Sequence, residues 1–337
     1  MCLTMAKKVI ASIIIMVVFF FSLILAIPIA ILSDNFSDYG IIDESISFFY
    51  APSNASSFEK LNINVDTGNI KIIYVDTHVP YHVKIDVNVQ LGGSDLAGKS
   101  SLDFFNFIWL NLSSPVNYSM EIISDSWFGT STLLTKIVNI IISIRKDIAL
   151  GINATVNEGI IELTIPYGVS VKNIDLNING AGDLMCNFYS CTIEGNVTGG
   201  VNEGYINFNS YNTMYTQSSI LSLTLGRGDL DMNIDQYVDL GANVSGTLAI
   251  NDGDVALRYD DNNDNVGARF EIPPTGNLSP EILCFGPYGS CPVEGFDSDD
   301  VNYIFTSYDL IARICNFQYN LTFELGDGIF APFLTSL

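Results

Sequence analysis

Between Gly159 and Tyr259 the chain returns repeatedly to one short phrase, a glycine followed by apolar residues at every second position. It reads Gly159-Ile-Ile161-Glu-Leu163-Thr-Ile165, Gly182-Asp-Leu184-Met-Cys186-Asn-Phe188 and Gly204-Tyr-Ile206-Asn-Phe208. Two further copies are Gly228-Asp-Leu230-Asp-Met232-Asn-Ile234 and Gly253-Asp-Val255-Ala-Leu257-Arg-Tyr259, and an outlier stands at Gly68-Asn-Ile70-Lys-Ile72. The contiguous glycines are 23, 22, 24 and 25 residues apart. Alternation with period two places one set of side chains on one face, so each phrase predicts a strand with a buried face and a wet face. The leading glycine suits a turn that needs positive φ. A strand-and-turn unit at a near-constant interval predicts an all-β domain, β-solenoid-like or built of stacked sheets.

The same period appears upstream. Leu61-Asn-Ile63-Asn-Val65, a turn at Thr67-Gly68 and Ile70-Lys-Ile72 are followed by alternation from Tyr81 to Leu91, closed by Gly92-Gly93. Turns and one-sided polarity predict an antiparallel meander here. Residues 94–148 break the pattern and read as an insert. It carries Trp109 and Trp127 beside Phe104, Phe105, Phe107 and Phe128, an aromatic cluster of the kind that fills a core. Leu133, Leu134, Ile137, Val138, Ile141 and Ile144 have helical spacing, whereas Val138, Ile140, Ile142 and Ile144 fit a strand equally well. We read this stretch as a small helix. Pro273-Pro274 closes the repeats, leaving residues 277–337 as a cysteine-containing β extension.

Ahead of the β pattern, Val9 to Leu32 is 24 residues without a charge. As a helix it would be about 36 Å long, enough to cross a bilayer. Lys7 and Lys8 precede it and Asp34, Asp38, Asp43 and Glu44 follow, which predicts a cytoplasmic amino terminus and an extracytoplasmic bulk. A cleaved signal peptide would export the same residues, but the apolar run is long for one, and Ala26-Ile-Pro28 is a poor cleavage site. The sequence thus divides into a transmembrane signal anchor (1–33), a stalk (34–57), the β-repeat domain (58–276) and the extension (277–337).

The exported part carries 12 basic and 37 acidic residues, a formal charge of −25. Such a surface repels nucleic acid and anionic headgroups and attracts cations. Nine Asn-x-Ser/Thr sequons lie in it, at Asn35, Asn54, Asn111, Asn117, Asn153, Asn196, Asn243, Asn277 and Asn320. Pro280 weakens the Asn277 site, so the other eight are the candidate glycan carriers. Among the exported cysteines, Cys186 with Cys191 and Cys284 with Cys291 form the simplest local disulfides, leaving Cys315 over.

Candidate chemistry is sparse. Asp260, Asn262, Asp264 and Glu271 fall at positions 1, 3, 5 and 12 of an EF-hand-like spacing, oxygen donors suited to Ca2+, although strands flank them and Asn265 replaces the usual glycine. An acidic hairpin loop is the plainer reading. His78 and His82 flank Pro80 and read as surface histidines. Arg227-Gly228-Asp229 spells an integrin-type tripeptide whose Gly-Asp is already accounted for by the repeat phrase. No nucleophile elbow, phosphate loop, zinc-protease helix or dinucleotide fingerprint occurs, so no catalytic residue is assigned.

At Phe58-Glu-Lys-Leu-Asn-Ile-Asn-Val-Asp-Thr-Gly-Asn-Ile-Lys-Ile, and again at Ile161-Glu-Leu-Thr-Ile-Pro-Tyr-Gly-Val-Ser-Val, the chain resembles the β-strand-repeat "putative adhesin" family. These are domains of unknown function on membrane-anchored bacterial and archaeal proteins. The resemblance covers about residues 58–91 and 153–259. It implies a β-solenoid-like or stacked-sheet domain outside the cell and supplies no catalytic residues. The expectation is therefore a non-enzymatic surface module that binds an unknown surface protein or glycan. A structural envelope component held by divalent cations and a polysaccharide-acting enzyme with a carboxylate pair are the alternatives.

Overall fold

The structure is a computed structural model that describes residues 40–50, 59–93, 96–100, 105–112, 117–124, 133–261, 265–273, 281–282, 293–294, 296–299, 304–307, 310–311 and 315–335. The strands, in order, are β1 (Gly40–Tyr50), β2 (Glu59–Val75), β3 (Val83–Gly93), β4 (Phe105–Leu112), β5 (Asn117–Ser124), β6 (Leu133–Arg145) and β7 (Leu150–Ile165). There follow β8 (Ser170–Tyr189), β9 (Thr192–Ile193), β10 (Val197–Tyr211), β11 (Met214–Tyr215), β12 (Ser219–Gln236), β13 (Val244–Asp252) and β14 (Val255–Asp261). The last are β15 (Val266–Glu271), β16 (Glu281–Ile282), β17 (Val293–Glu294), β18 (Phe296–Asp299), β19 (Ile304–Ser307), β20 (Phe317–Asp327) and β21 (Ile329–Thr335).

Strands of successive repeats pair in parallel and in register: β2 with β7, β7 with β8, β8 with β10, and β10 with β12. β12 continues onto β13 and β14, which in turn pair with β20 and β21. The chain is therefore wound as a solenoid with one repeat per coil. Each coil has a first arm and a second arm meeting at the phrase glycine. Short segments such as β9 and β11 link one coil to the next and also stack in parallel.

The glycines explain the interval. Gly68, Gly159, Gly182, Gly204 and Gly228 are register partners in consecutive coils. A Cβ on Gly204 would lie 1.8 Å from the carbonyl oxygen of Gly182, and one on Gly253 would lie 1.6 Å from that of Gly228. Only hydrogen fits between these stacked backbones, and φ at Gly204 and Gly228 is +144° and +126°, a region side chains avoid.

Inside, the alternating apolar positions stack from coil to coil. Ile70, Ile161, Leu184, Ile206, Leu230, Val255 and Phe330 form one such column, all buried to 1% or less. Full burial of side chains of this size stabilises by about 1.5–3 kcal/mol each, and the columns merge into one continuous core. Outside, amides stack likewise, with Asn209 Nδ2 donating to Asn187 Oδ1 at 3.0 Å across two coils.

Further strands extend both ends. β6 runs parallel to the second arm of β2, and β3 and β1 follow it antiparallel. At the far end β15 lies parallel to β20 and carries β19 and β18 antiparallel, while β16 and β17 flank β21. Two expectations change here. Leu61 to Ile72 is a single strand bent at Gly68 and paired in parallel with β7, in place of a hairpin meander. The insert's second half is strand β6, because Val138, Ile140, Ile142 and Ile144 all point into the core and extend the stack of second arms. The described part is all-β in its assigned elements. The expected span at Val9–Leu32 lies outside the described residues, among which no helix is long and apolar enough to cross a membrane.

Candidate functional site: the outer face of the second arms

In three successive coils, one residue past the last inward side chain of the second arm, the chain turns a corner and presents a tyrosine, Tyr189, Tyr211 or Tyr237; in the coil before them Tyr167 stands two residues past Ile165. Tyr189 and Tyr211 are register partners, and Tyr211 meets Tyr237 edge to face with ring centroids 5.9 Å apart. Tyr167 precedes them, its corner tied to the next by the amide of Gly168 donating to Ser190 O at 3.1 Å. Ser190 N donates to Tyr211 O at 2.7 Å, and Asn212 N to Asp235 O at 2.8 Å, so the corners stack as regularly as the arms. Exposure of the four rings is 81%, 46%, 41% and 37% in chain order. Ser190 and Asn212 adopt positive φ, +46° and +49°, to make these turns. The result is an exposed aromatic ridge along the solenoid, one ring per coil.

Polar groups border the ridge. Tyr237 Oη donates to Asp260 Oδ2 at 3.0 Å, and its amide donates to Asn212 Oδ1 at 2.7 Å. At the opposite end of the arm, beside the phrase glycine, Tyr205 Oη donates to Asp231, and Asn207 Nδ2 donates to Tyr205 Oη at 3.3 Å. Burial, then the hydrogen bond to a carboxylate, pushes both the Tyr205 and Tyr237 hydroxyls up to about 12, so each stays a proton donor at neutral pH. Partial burial also raises the Asp235 carboxyl; Arg258 opposes this and Asp260 adds to it. Beyond the ridge lies a groove of about 410 Å³ floored by Ala256 and Ala331 and walled by Asp231, Asn233, Arg258 and Phe333.

The residues singled out from sequence are distributed differently. Asp260, next to last in β14, accepts from Tyr237, while Glu271 closes β15 in a 2.7 Å ion pair with Arg269. Asn262 and Asp264 lie outside the described residues, among which no group of three or more potential ligands converges on a metal site. Cys186 and Cys191 are free and buried, contrary to the expected disulfide. Cys186 fills an inward rung between Leu163 and Phe208, and Cys191 lies past the Ser190 corner on another side of the coil. Burial pushes both thiols up to about 12. Cys284 and Cys291 lie outside the described residues, as do Asn35 and Asn54.

Asn111 and Asn117 fall in the β4–β5 hairpin. The other four sequon asparagines belong to the first arms. Asn153 and Asn320 sit within β7 and β20, and Asn196 and Asn243 sit exposed just before β10 and β13. His78 is exposed as expected, whereas His82 is buried at 5%. Asp229 of the integrin-like tripeptide has a structural task, its Oδ1 accepting from the Asp254 amide of the next coil at 3.1 Å. Asp254 repeats this toward Ile329 N at 2.9 Å, so these two Gly-Asp pairs are staples between coils.

The ridge was not singled out from the sequence, although Tyr167, Tyr189 and Tyr211 are each 22 residues apart. Comparisons with protein-family models and with curated proteins give no match. Among solved structures, the chain is similar to a "putative cell adhesion protein" from Clostridium sporogenes, at 11% identity and TM-score 0.37, covering 87% of this chain and 100% of that one. It is also similar to a "putative adhesin" from Bacteroides fragilis, at 11% identity and TM-score 0.32, covering 86% and 97%. A "putative adhesin" from Parabacteroides merdae is similar at 12% identity and TM-score 0.27, covering 67% and 90%.

Proposed function

We propose that this chain is an adhesin-like binding module, non-enzymatic, anchored through Val9–Leu32 and displayed outside the cell, where it engages a surface protein or glycan. The observation that carries this reading is the exposed tyrosine ridge on the outer face of the second arms. Tyrosine offers a large, stiff contact surface at low entropic cost and is over-represented where binding energy concentrates. Hydrogen bonds to Asp260 and between corners hold the ridge in place before any partner arrives, which lowers the ordering cost of association.

The test uses the full chain displayed on whole cells. External protease is expected to remove the β domain from intact cells. The same cells are expected to adhere to some surfaces in a panel of immobilised glycans, matrix proteins and host cells, with empty-vector cells as the reference. A domain untouched by protease until lysis overturns the exported placement. A panel with no adhesion at high display density overturns the binding role.

A further inference from the structure

We propose that β1 is the contact through which two copies of this chain join, edge to edge and antiparallel about Ser45. β1 ends the row of second arms, reached from β2 through β6 and β3. Its eleven residues pair with β3 without a register shift, and β3 is its only ladder partner among the described residues. The edge facing away from β3 thus presents a run of backbone donors and acceptors to a further strand. The usual devices against such pairing are missing: the strand has no proline, no lysine and no bulge, and its only charges are Asp43 and Glu44. The other end of the same row is blunted, since β16 and β17 flank β21, and Pro332 within it has no N–H to offer.

The side chains select the occupant. Ile41 and Phe49 are 74% and 69% exposed on the outer face, while Ile46 and Phe48 are half-buried on the same face as buried Ile42. Apolar pairs therefore stand near both ends of the strand with mostly polar residues between, a pattern that complements itself when reversed. In an antiparallel pair centred on Ser45 all eleven residues are matched, and every contact occurs twice about the two-fold axis. Ile41 then faces the partner's Phe49, and Ile42 faces the partner's Phe48. Asp43 faces the partner's Ser47 and Glu44 the partner's Ile46, so no two carboxylates are opposed.

Neighbouring registers lose this match. A slip of one residue turns the two buried faces to opposite sides of the joined sheet. Recentring on Glu44 opposes that carboxylate to itself. Recentring on Ile46 sets Asp43 against the partner's Phe49 and Glu44 against the partner's Phe48. A foreign extended peptide could meet the bare edge, but a second copy always brings the reversed pattern with it. The joint uses none of the ridge tyrosines, so it does not depend on the binding role proposed above.

Sedimentation velocity of the full chain in density-matched detergent micelles reads the assembly. The wild type is expected to run as a dimer at micromolar concentration. Ile41→Lys/Phe49→Lys opposes lysine to lysine across the joint and is expected to raise the dissociation constant about tenfold or more. Ile41→Lys/Phe49→Glu changes the same two exposed positions but opposes lysine to carboxylate, and is expected to recover the dimer to within about threefold of wild type. That recovery separates pairing from a folding defect, which circular dichroism also checks. On mild oxidation Ser45→Cys is expected to crosslink to its own copy. Ser47→Cys is not, because its counterpart stands about 14 Å away along the strand.

A monomeric wild type would overturn the joint, even if it captured a foreign peptide. So would a lysine–lysine variant that dimerises as the wild type does, the result expected if the apolar segments associate instead. A lysine–glutamate variant no tighter than the lysine–lysine one, or equal crosslinking by the two cysteine variants, would overturn the register about Ser45.

Discussion

Replacing Gly204 with alanine tests the winding directly. At φ +144° an added Cβ pays the cost of a sparsely populated backbone region, about 1–3 kcal/mol. It would also stand 1.8 Å from Gly182 O and 2.8 Å from Gly182 C, neither of which can yield without pulling a hydrogen-bonded coil out of register. Relieving an overlap of that kind adds about 1–3 kcal/mol more. The expected loss is therefore about 2–6 kcal/mol, a large part of the ~5–15 kcal/mol that holds a typical domain together. Gly168→Ala is the control, because φ is +75° there but nothing lies within 4 Å of the added methyl. It pays for the dihedral alone, about 1 kcal/mol. Urea melts of the full chain in detergent micelles compare the two, and hydrogen exchange locates the loosening in the coils around Gly182 and Gly228. If Gly204→Ala costs no more than Gly168→Ala, the close stacking of glycine backbones is wrong.

Three further outcomes follow from the packing. Phe208→Ala removes a fully buried ring that meets Phe188 edge-on at 5.3 Å, and is expected to cost about 3–5 kcal/mol in the same urea assay. Asp235 has a raised carboxyl and a buried Oδ1 without a hydrogen-bond partner, so its ionised form weighs against folding at neutral pH. Asp235→Asn should therefore melt higher than wild type at pH 7, with the gain shrinking as pH falls through the carboxylate range and wild-type Asp235 becomes neutral; a gain that grows toward acid would reverse this sign. Cys186 and Cys191 should resist alkylation in the folded protein and label fully in urea without reductant, as read by peptide mass mapping; labelling that needs reductant would restore the disulfide.

Much of the winding was legible because each phrase carries its own frame. Leu184, Cys186 and Phe188 occupy alternate positions behind Gly182, and all three are buried as that frame requires. Strand direction was not legible: Leu61–Ile72 alternates identically whether its neighbour runs parallel or antiparallel, and only the partner β7 decides. Residues 133–145 carried both periods, and the β-branched set won because β2 and β3 offered it edges on both sides. The tyrosines were hidden for a different reason. Each falls just after an apolar strand, where one exposed aromatic looks ordinary, and their shared frame becomes plain only once the coils are stacked.

The outermost turn of the winding, β20 and β21, comes from residues 317–335 and rests on β13 and β14 across a long detour in sequence. During synthesis the earlier turns can be laid one on another as they emerge, but the exposed backbone of residues 244–261 must wait for a segment more than fifty residues downstream. For that interval the nascent chain offers an unfilled berth to any passing extended peptide. A holdase would therefore do most good by binding there, and a nonsense codon placed before Phe317 should yield a product that clumps although nearly every earlier turn is intact.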